Sequence, residues 1–347
     1  MSKWLITGGA GFIGSNMAAT LRQDGHEVVV LDNLSRRGSE RNLAWLQGEY
    51  DVPLVRGDIR DEDVFERTFR EHGPFDVISH QAAQVAVTTS VVDPREDFEI
   101  NALGTFNLLE VVRGRTTPPT VLFASTNKVY GGLEEAEVEL AGSRYQFVDL
   151  PKGVPESWPL DFHSPYGCSK GAADQYVRDY ARVFDLPTVV FRQSCIYGRR
   201  QFGVEDQGWV AWFLIAAAFG RDVTVFGNGK QARDLLFVDD LVSLYRTAAE
   251  RIGEVSGEVF NVGGGAANQL SLLELLDRIP DLVGPIEYTF ADWRAGDQPL
   301  FVSDNSRALE RLGWSPETDI SNGLGILSAW IVANRAEIED ALGAPVP

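Results

Sequence analysis

Tyr166 and Lys170 stand four residues apart in Tyr166-Gly167-Cys168-Ser169-Lys170, inside a stretch that reads as helix from near Pro165. Residues at that spacing share one helix face, so a phenol and an ammonium open into one space. A positive charge beside a phenol favours its ionised form and lowers its pKa from about 10 toward neutrality. Such a pair can draw the proton from a substrate hydroxyl, provided another group takes the hydride from the same carbon. A tyrosine and a lysine at this spacing are also common on protein surfaces, so the pattern depends on the elements around it.

The first of these elements opens the chain. Trp4-Leu5-Ile6 is a short apolar strand, Thr7-Gly8-Gly9-Ala10-Gly11-Phe12-Ile13-Gly14 a glycine turn, and Ser15 to Asp24 a helix. Glycines at this spacing let backbone approach a pyrophosphate, which the helix N-terminus holds with unpaired N–H groups and its dipole. The next strand, Glu27-Val28-Val29-Val30-Leu31, ends in Asp32, an acid placed to bond an adenosine ribose. A lone glycine pattern says little. With the strand before it, the helix after it and the terminal acid, it implies a dinucleotide, and a nicotinamide would be the hydride partner that Tyr166 lacks.

Strands and helices then alternate. Further strands are predicted at 52–59, 75–80, 120–125 and 188–192, with helices to about Gln47, from Asp61 to His72, around Asn101 and Leu108-Leu109, and from Pro165. This spacing predicts βαβ units and an α/β fold with a doubly wound parallel sheet. Beyond residue 195 the alternation breaks into helices at 207–219 and 238–251, strands at 223–226 and 258–263, and a mostly helical remainder. A dinucleotide-binding domain of residues 1–190 plus about 232–263, with a smaller α/β lobe of 191–231 and 264–347 over the carboxyl ends of the strands, is the expected organisation. The acidic run from Glu134 to Glu139 is expected in a solvated loop.

Bulk properties narrow the partners. A net charge of −19 on 347 residues disfavours nucleic acid and anionic membranes, which demand basic faces. No apolar run approaches the roughly 20 residues of a membrane span, and Ser2-Lys3 leads directly into a strand rather than a signal sequence. Two cysteines and four histidines without ligand spacing predict no disulfide framework and no metal site, and fit a cytoplasmic protein. Any phosphate-bearing substrate must therefore meet locally concentrated positive charge.

Thr7 to Gly14, Asp32, Asp58-Ile59, His80-Gln81-Ala82-Ala83, Ser125 to Gly131 and the Tyr166/Lys170 pair together resemble an extended short-chain dehydrogenase/reductase of the nucleotide-sugar epimerase and dehydratase type. The resemblance spans essentially the whole chain. It implies a Rossmann fold and Thr126, Tyr166 and Lys170 as catalytic residues. It implies cofactor contacts from Gly8, Gly11, Phe12, Ile13, Gly14, Asp32, Asn33, Ser35, Arg36, Asp58, Ile59, Gln81, Ala82, Ala83, Asn101, Tyr166, Lys170 and Gln193. Asp32 implies NAD rather than NADP, because a carboxylate repels a 2′-phosphate. Dimers pairing the helices near 95–112 and 165–183, or tetramers, are a further implication.

Residues 126–128 bear on the reaction. The 4,6-dehydratases of that family carry Thr-Asp-Glu there, whereas this chain has Thr126-Asn127-Lys128, without the acid/base pair, which leaves epimerisation through a transient ketone. Residues 125–131, 192–198 and 201–210 are similar to CDP-tyvelose (CDP-paratose) 2-epimerases, although Arg199 replaces their usual proline. The substrate contacts this implies are Thr126, Asn127, Lys128, Cys195, Arg200, Gln201, Arg233 and Arg294. Arg233 and Arg294 are the expected diphosphate anchors, while Lys128 is open between substrate contact and pairing with a buried carboxylate. Trp209, Trp212 and Phe213 are expected in the lobe core. The alternatives are a 4-epimerase of a UDP- or CDP-hexose and a non-catalytic NAD-sensing protein.

Overall fold

The computed structural model describes residues 1–294 and 297–343. Seven strands form one parallel sheet: β1 (Lys3–Thr7), β2 (Glu27–Asp32), β3 (Leu54–Arg56), β4 (Val77–His80), β5 (Thr120–Thr126), β6 (Thr188–Gln193) and β7 (Val259–Val262). Their spatial order is β7-β6-β5-β4-β1-β2-β3. Alternate side chains feed two cores: Trp4, Ile6, Val28 and Val30 enter the one on one face, Leu5, Val29 and Leu31 the one on the other. Burial on both faces explains why these strands read in sequence as continuous apolar runs. The order reverses between β1 and β4, and a ligand crevice opens at the carboxyl ends of strands at such a point. Thr7 and His80, the last residues of those two strands, are joined by a 2.6 Å hydrogen bond.

The helix after β1 spans Phe12–Gln23, beginning before the expected Ser15 and carrying Gly14 in its first turn. The reason is contact: a Cβ on Gly14 would lie 2.5 Å from the Gly8 carbonyl oxygen, so only glycine lets the helix start against the turn. β3 and β4 are shorter than expected. The long helix expected around Asn101 is a relay of Pro94–Phe98, a π turn at Glu99–Leu103 and a helix at Gly104–Arg113. Helix Ser164–Phe184, entered through Pro165 in its first turn, buries Tyr166, Lys170 and Asp174.

The lobe is richer in strands than the sequence suggests. Ala232–Phe237 pairs with Cys195–Tyr197, Gln269–Ser271 and Leu300–Phe301, and Val223–Phe226 pairs with Tyr288–Ala291. The chain returns to the main sheet with helix Val238–Glu250 and β7. The apolar helix Trp209–Ala218 packs with Leu272–Leu282 and Ile320–Ala333 in a separate core. Part of the expected acidic loop is instead an antiparallel hairpin, Val138–Ala141 with Arg144–Phe147, turning through Gly142 at φ +64°. Among the described residues no helix is long and apolar enough to cross a membrane, and no cluster of potential metal ligands exists.

Candidate active site

Two clefts meet at the carboxyl edge of the sheet, sharing Val85 and Gln207 in their walls. Their cavity volumes are about 240 and 360 Å³, at the lower end of the roughly 300–1,000 Å³ of an ordinary small-ligand pocket.

The first cleft gathers most of the expected cofactor residues: Gly8, Gly11, Phe12, Ile13, Gly14, Asp32, Asn33, Ser35, Arg36, Asp58, Ile59, Gln81, Ala82 and Ala83. Gly11 precedes the helix without any side-chain cap, so the first-turn N–H groups face the cleft. Gly8, at φ +66°, packs so closely on Ala82 that a Cβ would meet its nitrogen at 2.7 Å. Asp32 accepts hydrogen bonds from the backbone of Ala10 at 3.0 Å and Leu34 at 2.8 Å, which aim its carboxylate along the rim. Burial raises its pKa. Asp58 is held by Arg60 at 2.8 Å and Asn33 at 3.0 Å, which outweigh burial and lower it to about 2. A glycine cradle, an open helix N-terminus and a carboxylate at the end of β2 fit a dinucleotide with a free ribose 2′-hydroxyl.

Besides Lys170, described below, two expected cofactor residues line neither cleft. Asn101 spends its side chain inside the protein, on the Gln84 backbone at 3.0 Å, Asp97 at 3.1 Å and Ser169 at 3.1 Å. Gln193 is buried and donates to Tyr245 at 2.9 Å. Neither lines a cleft, because the π turn and the end of β6 direct their side chains into packed surroundings.

The second cleft brings together Thr126, Asn127, Lys128, Tyr166, Cys195, Arg233 and Arg294. Thr126 ends β5 and caps the 3-10 turn Asn127–Tyr130, its Oγ1 accepting from the Lys128 N–H at 3.3 Å. Thr126 lies beside Tyr166 and lowers the phenol's pKa as a hydrogen-bonding neighbour. Arg233 meets Asp297 at 3.0 Å and the Gln298 carbonyl at 2.7 Å. Arg294 lies 3.8 Å over the Phe226 ring and pairs with Asp206 at 3.0 Å and Glu205 at 3.4 Å. In the stretch Trp293-Arg294-Ala295-Gly296-Asp297, which resembles one of the family's diphosphate-binding arginine motifs, Ala295 and Gly296 lie outside the described residues. Burial pushes the Cys195 thiol up to about 12, so it lines the wall as a neutral side chain. Phe213 belongs to the lobe core as expected and Trp209 and Trp212 pack against it, but Trp209 and Phe213 also wall the cleft.

Arg200 and Gln201, expected on the substrate, line the first cleft instead. Arg200, whose backbone is left-handed at φ +63°, stacks 4.3 Å over Trp45 and bonds Glu337 at 2.8 Å. The sequence reading gave no role to Glu205, Asp206, Gln207, Phe226, Gln231 or Asp297, which complete the cleft, or to buried Gln298, which accepts from Lys128 behind it. The signal for the first three was the Gln201–Val210 stretch, whose hairpin tip (Val204 paired with Gln207) reaches between the clefts and meets Arg36 through Gln207.

The electrostatics of the Tyr166/Lys170 pair differ from expectation. Burial pushes the Tyr166 phenol up to about 12; Thr126 and Arg36 pull it down, and Asp97 pushes it further up. Lys170 is itself lowered by burial to about 7, with Asp174 and Asp97 opposing, and its ammonium lies 4.3 Å from the Phe123 ring centroid. Desolvation acts on both members, so the lysine does not by itself ionise the phenol. Lys170 stands behind Tyr166, outside the walls of both clefts.

Residues 4–263 match the NAD dependent epimerase/dehydratase family. The chain is 46% identical to the CDP-paratose 2-epimerase of Salmonella typhi, covering 94% of this chain and 98% of that one. Among solved structures, it resembles the UDP-glucose 4-epimerase of Thermus thermophilus in complex with NAD, with a TM-score of 0.80 at 32% identity over 95% of this chain and 99% of that one. It also resembles the dTDP-glucose 4,6-dehydratase DesIV of Streptomyces venezuelae with NAD bound, with a TM-score of 0.83 at 28% identity over 98% and 99%.

Proposed function

Since the chain belongs to the NAD dependent epimerase/dehydratase family and is an NAD-dependent nucleotide-sugar enzyme, we propose that it inverts C2 of a CDP-linked hexose of the paratose/tyvelose or glucose type. The observation that carries this reading is the near full-length similarity to a CDP-paratose 2-epimerase, together with Thr126-Asn127-Lys128 in the cleft, a turn without the acid and base of a dehydration.

The residues that would hold NAD are the glycine turn and helix N-terminus at its pyrophosphate and Asp32 at its ribose. When bound, NAD supplies a hydride acceptor and donor and, in its oxidised form, a positive ring. Thr126 and Tyr166 orient the C2 hydroxyl between them, and the Tyr166 oxygen receives its proton. Its high pKa makes Tyr166 a strong base once ionised and a ready donor afterwards, returning the proton when the 2-keto sugar is reduced on its other face. Lys170 and Arg36 supply the positive charge on the protein side. Arg233 and Arg294 grip the diphosphate through planar guanidinium forks while the sugar turns over. Oxidation and reduction cancel, so the enzyme is an isomerase with no net redox.

The test is product analysis by NMR on CDP-hexose deuterated at C2. A C2 epimer that keeps the label is expected. A C4 epimer from CDP- or UDP-hexose would replace the reading with the 4-epimerase alternative, and label lost to solvent would exclude hydride transfer at C2.

A further inference from the structure

Lys128 sits where two parts of the cleft meet. Its N–H donates to Thr126 Oγ1 at 3.3 Å, so it shares a turn with the residue beside Tyr166. Its side chain shares the cleft wall with Arg233, close enough for the two cations to repel, and the Asp297 carboxylate attracts both. Lys128 Nζ donates to Gln298 Oε1 at 3.2 Å, and Gln298 is fixed in turn through its own amide to the Gly131 carbonyl. The ammonium is thus held in place between the hydroxyl-binding end and the arginine end. Lys128 and Arg233 repel each other in a desolvated wall, and an anion placed between them would stabilise both.

The substrate's own chemistry identifies the anion. In a nucleoside-diphosphate hexose the diphosphate hangs from C1. When C2 is the carbon presented to Tyr166, only C1 and the glycosidic oxygen separate it from the phosphorus. When C4 is presented, the width of the ring lies between them. C2 chemistry therefore brings a phosphate beside Thr126, where a cation on the same turn can reach it.

We propose that Lys128 binds the sugar-linked phosphate together with Arg233 and thereby sets the hexose in the register that puts C2, not C4, at Tyr166. The inference rests on the C2 reading above. Burial and Arg233 hold the ammonium down at about 8, with Asp297 opposing them. A phosphate beside it raises that value again, so binding near pH 8 takes up protons.

The experiment compares wild type, Lys128→Met and Lys128→Arg. NAD content after purification reports the integrity of fold and cofactor site. Calorimetry with CDP at pH 8, in two buffers of different ionisation heat, reports affinity and proton uptake, and NMR reports the product. Wild type is expected to take up a measurable fraction of a proton per site, because the ammonium is held down by burial and Arg233 before the phosphate binds. Lys128→Met should retain NAD, bind CDP about tenfold or more weakly as a charge-assisted contact is lost, take up no proton and form less of the C2 epimer relative to any C4 epimer. Lys128→Arg should restore affinity without proton uptake, and it carries the test if the methionine variant fails to retain NAD. Wild-type affinity and uptake in Lys128→Met, or undiminished uptake in Lys128→Arg, would overturn the phosphate role while leaving C2 chemistry intact. A wild-type product inverted only at C4 would instead remove the premise along with the inference.

Discussion

Replacing Gly14 with alanine should separate cofactor binding from stability. The new Cβ would lie 2.5 Å from the Gly8 carbonyl oxygen and 2.6 Å from Gly9 Cα, where ordinary contact begins at 3.4 Å, so the turn and the helix must part by about 1 Å. The turn has little room to yield: the Gly8 N–H is bonded to the Leu31 carbonyl at 2.8 Å, and Gly8 lies against Ala82 on its other side. Overpacking of this kind costs about 1–3 kcal/mol, of which alanine's helix propensity recovers about 1 kcal/mol. The net loss of stability is then small. The cofactor loss is larger. A 1 Å shift at the helix N-terminus breaks at least one hydrogen bond to a charged group, worth about 1.5–3 kcal/mol, which weakens NAD binding by roughly 10- to 150-fold. Gly25→Ala is the control: Gly25 has φ +82° and nothing within 4 Å of the position its new methyl carbon would take, so alanine is strained by about 1–2 kcal/mol there without touching the cleft. The assay is NAD titration of cofactor-stripped protein beside chemical denaturation of both variants. Gly14→Ala with wild-type NAD affinity, or Gly25→Ala with an equal loss, would refute the assignment of this turn to the pyrophosphate.

Tyr166→Phe should lower turnover by about 100- to 10,000-fold while NAD content is unchanged, and near-normal turnover measured by NMR would remove Tyr166 from proton transfer. Arg192 forks Asp174 at 2.9 and 3.0 Å with both side chains inaccessible, so Arg192→Met should cost about 3–5 kcal/mol in urea denaturation by stranding a buried carboxylate; adding Asp174→Leu should return part of the loss. His80 is buried between Thr7 and Thr105, and desolvation followed by Lys170 lowers it to about 3. Its contribution is therefore complete above its unfolded value near 6.5 and is lost at about 1.4 kcal/mol per pH unit as pH falls from there toward 3. Urea midpoints of His80→Gln should accordingly depend less on pH between 7 and 5 than those of wild type.

What the sequence made legible is local or repeated. The glycine turn reads correctly because the contacts at Gly8 and Gly14 admit no other residue, and β1, β2, β5 and β6 read correctly because burial on both faces leaves continuous apolar runs. The lobe offers neither signal. Its strands at 269–271 and 300–301 span three and two residues, and each pairs with 232–237 across a wide gap in sequence, so no window of sequence contains the pairing. The hairpin at 138–147 is hidden for another reason: its exposed strands carry charges on an alternation too short to stand out.

The same distinction runs through the site itself. Four-residue spacing correctly places Tyr166 and Lys170 on one buried helix face, yet it says nothing of how either ionises. That is decided by burial first, then by Thr126 from the end of β5, Asp97 from the helix before the π turn, Arg36 from the loop after β2, and Asp174 one turn further along the same helix. Asn101 is the inverse case, a polar residue with a cofactor role by resemblance whose side chain is spent on Gln84, Asp97 and Ser169. Through Asp97 it nonetheless bears on the pair, since the carboxylate it helps to hold raises both the phenol and the ammonium. The ionisation of Tyr166 is therefore set by a network that converges from three other segments of chain, and, on the proposed mechanism, a substitution at Asp97 should move the pH dependence of turnover even though that side chain lines neither cleft.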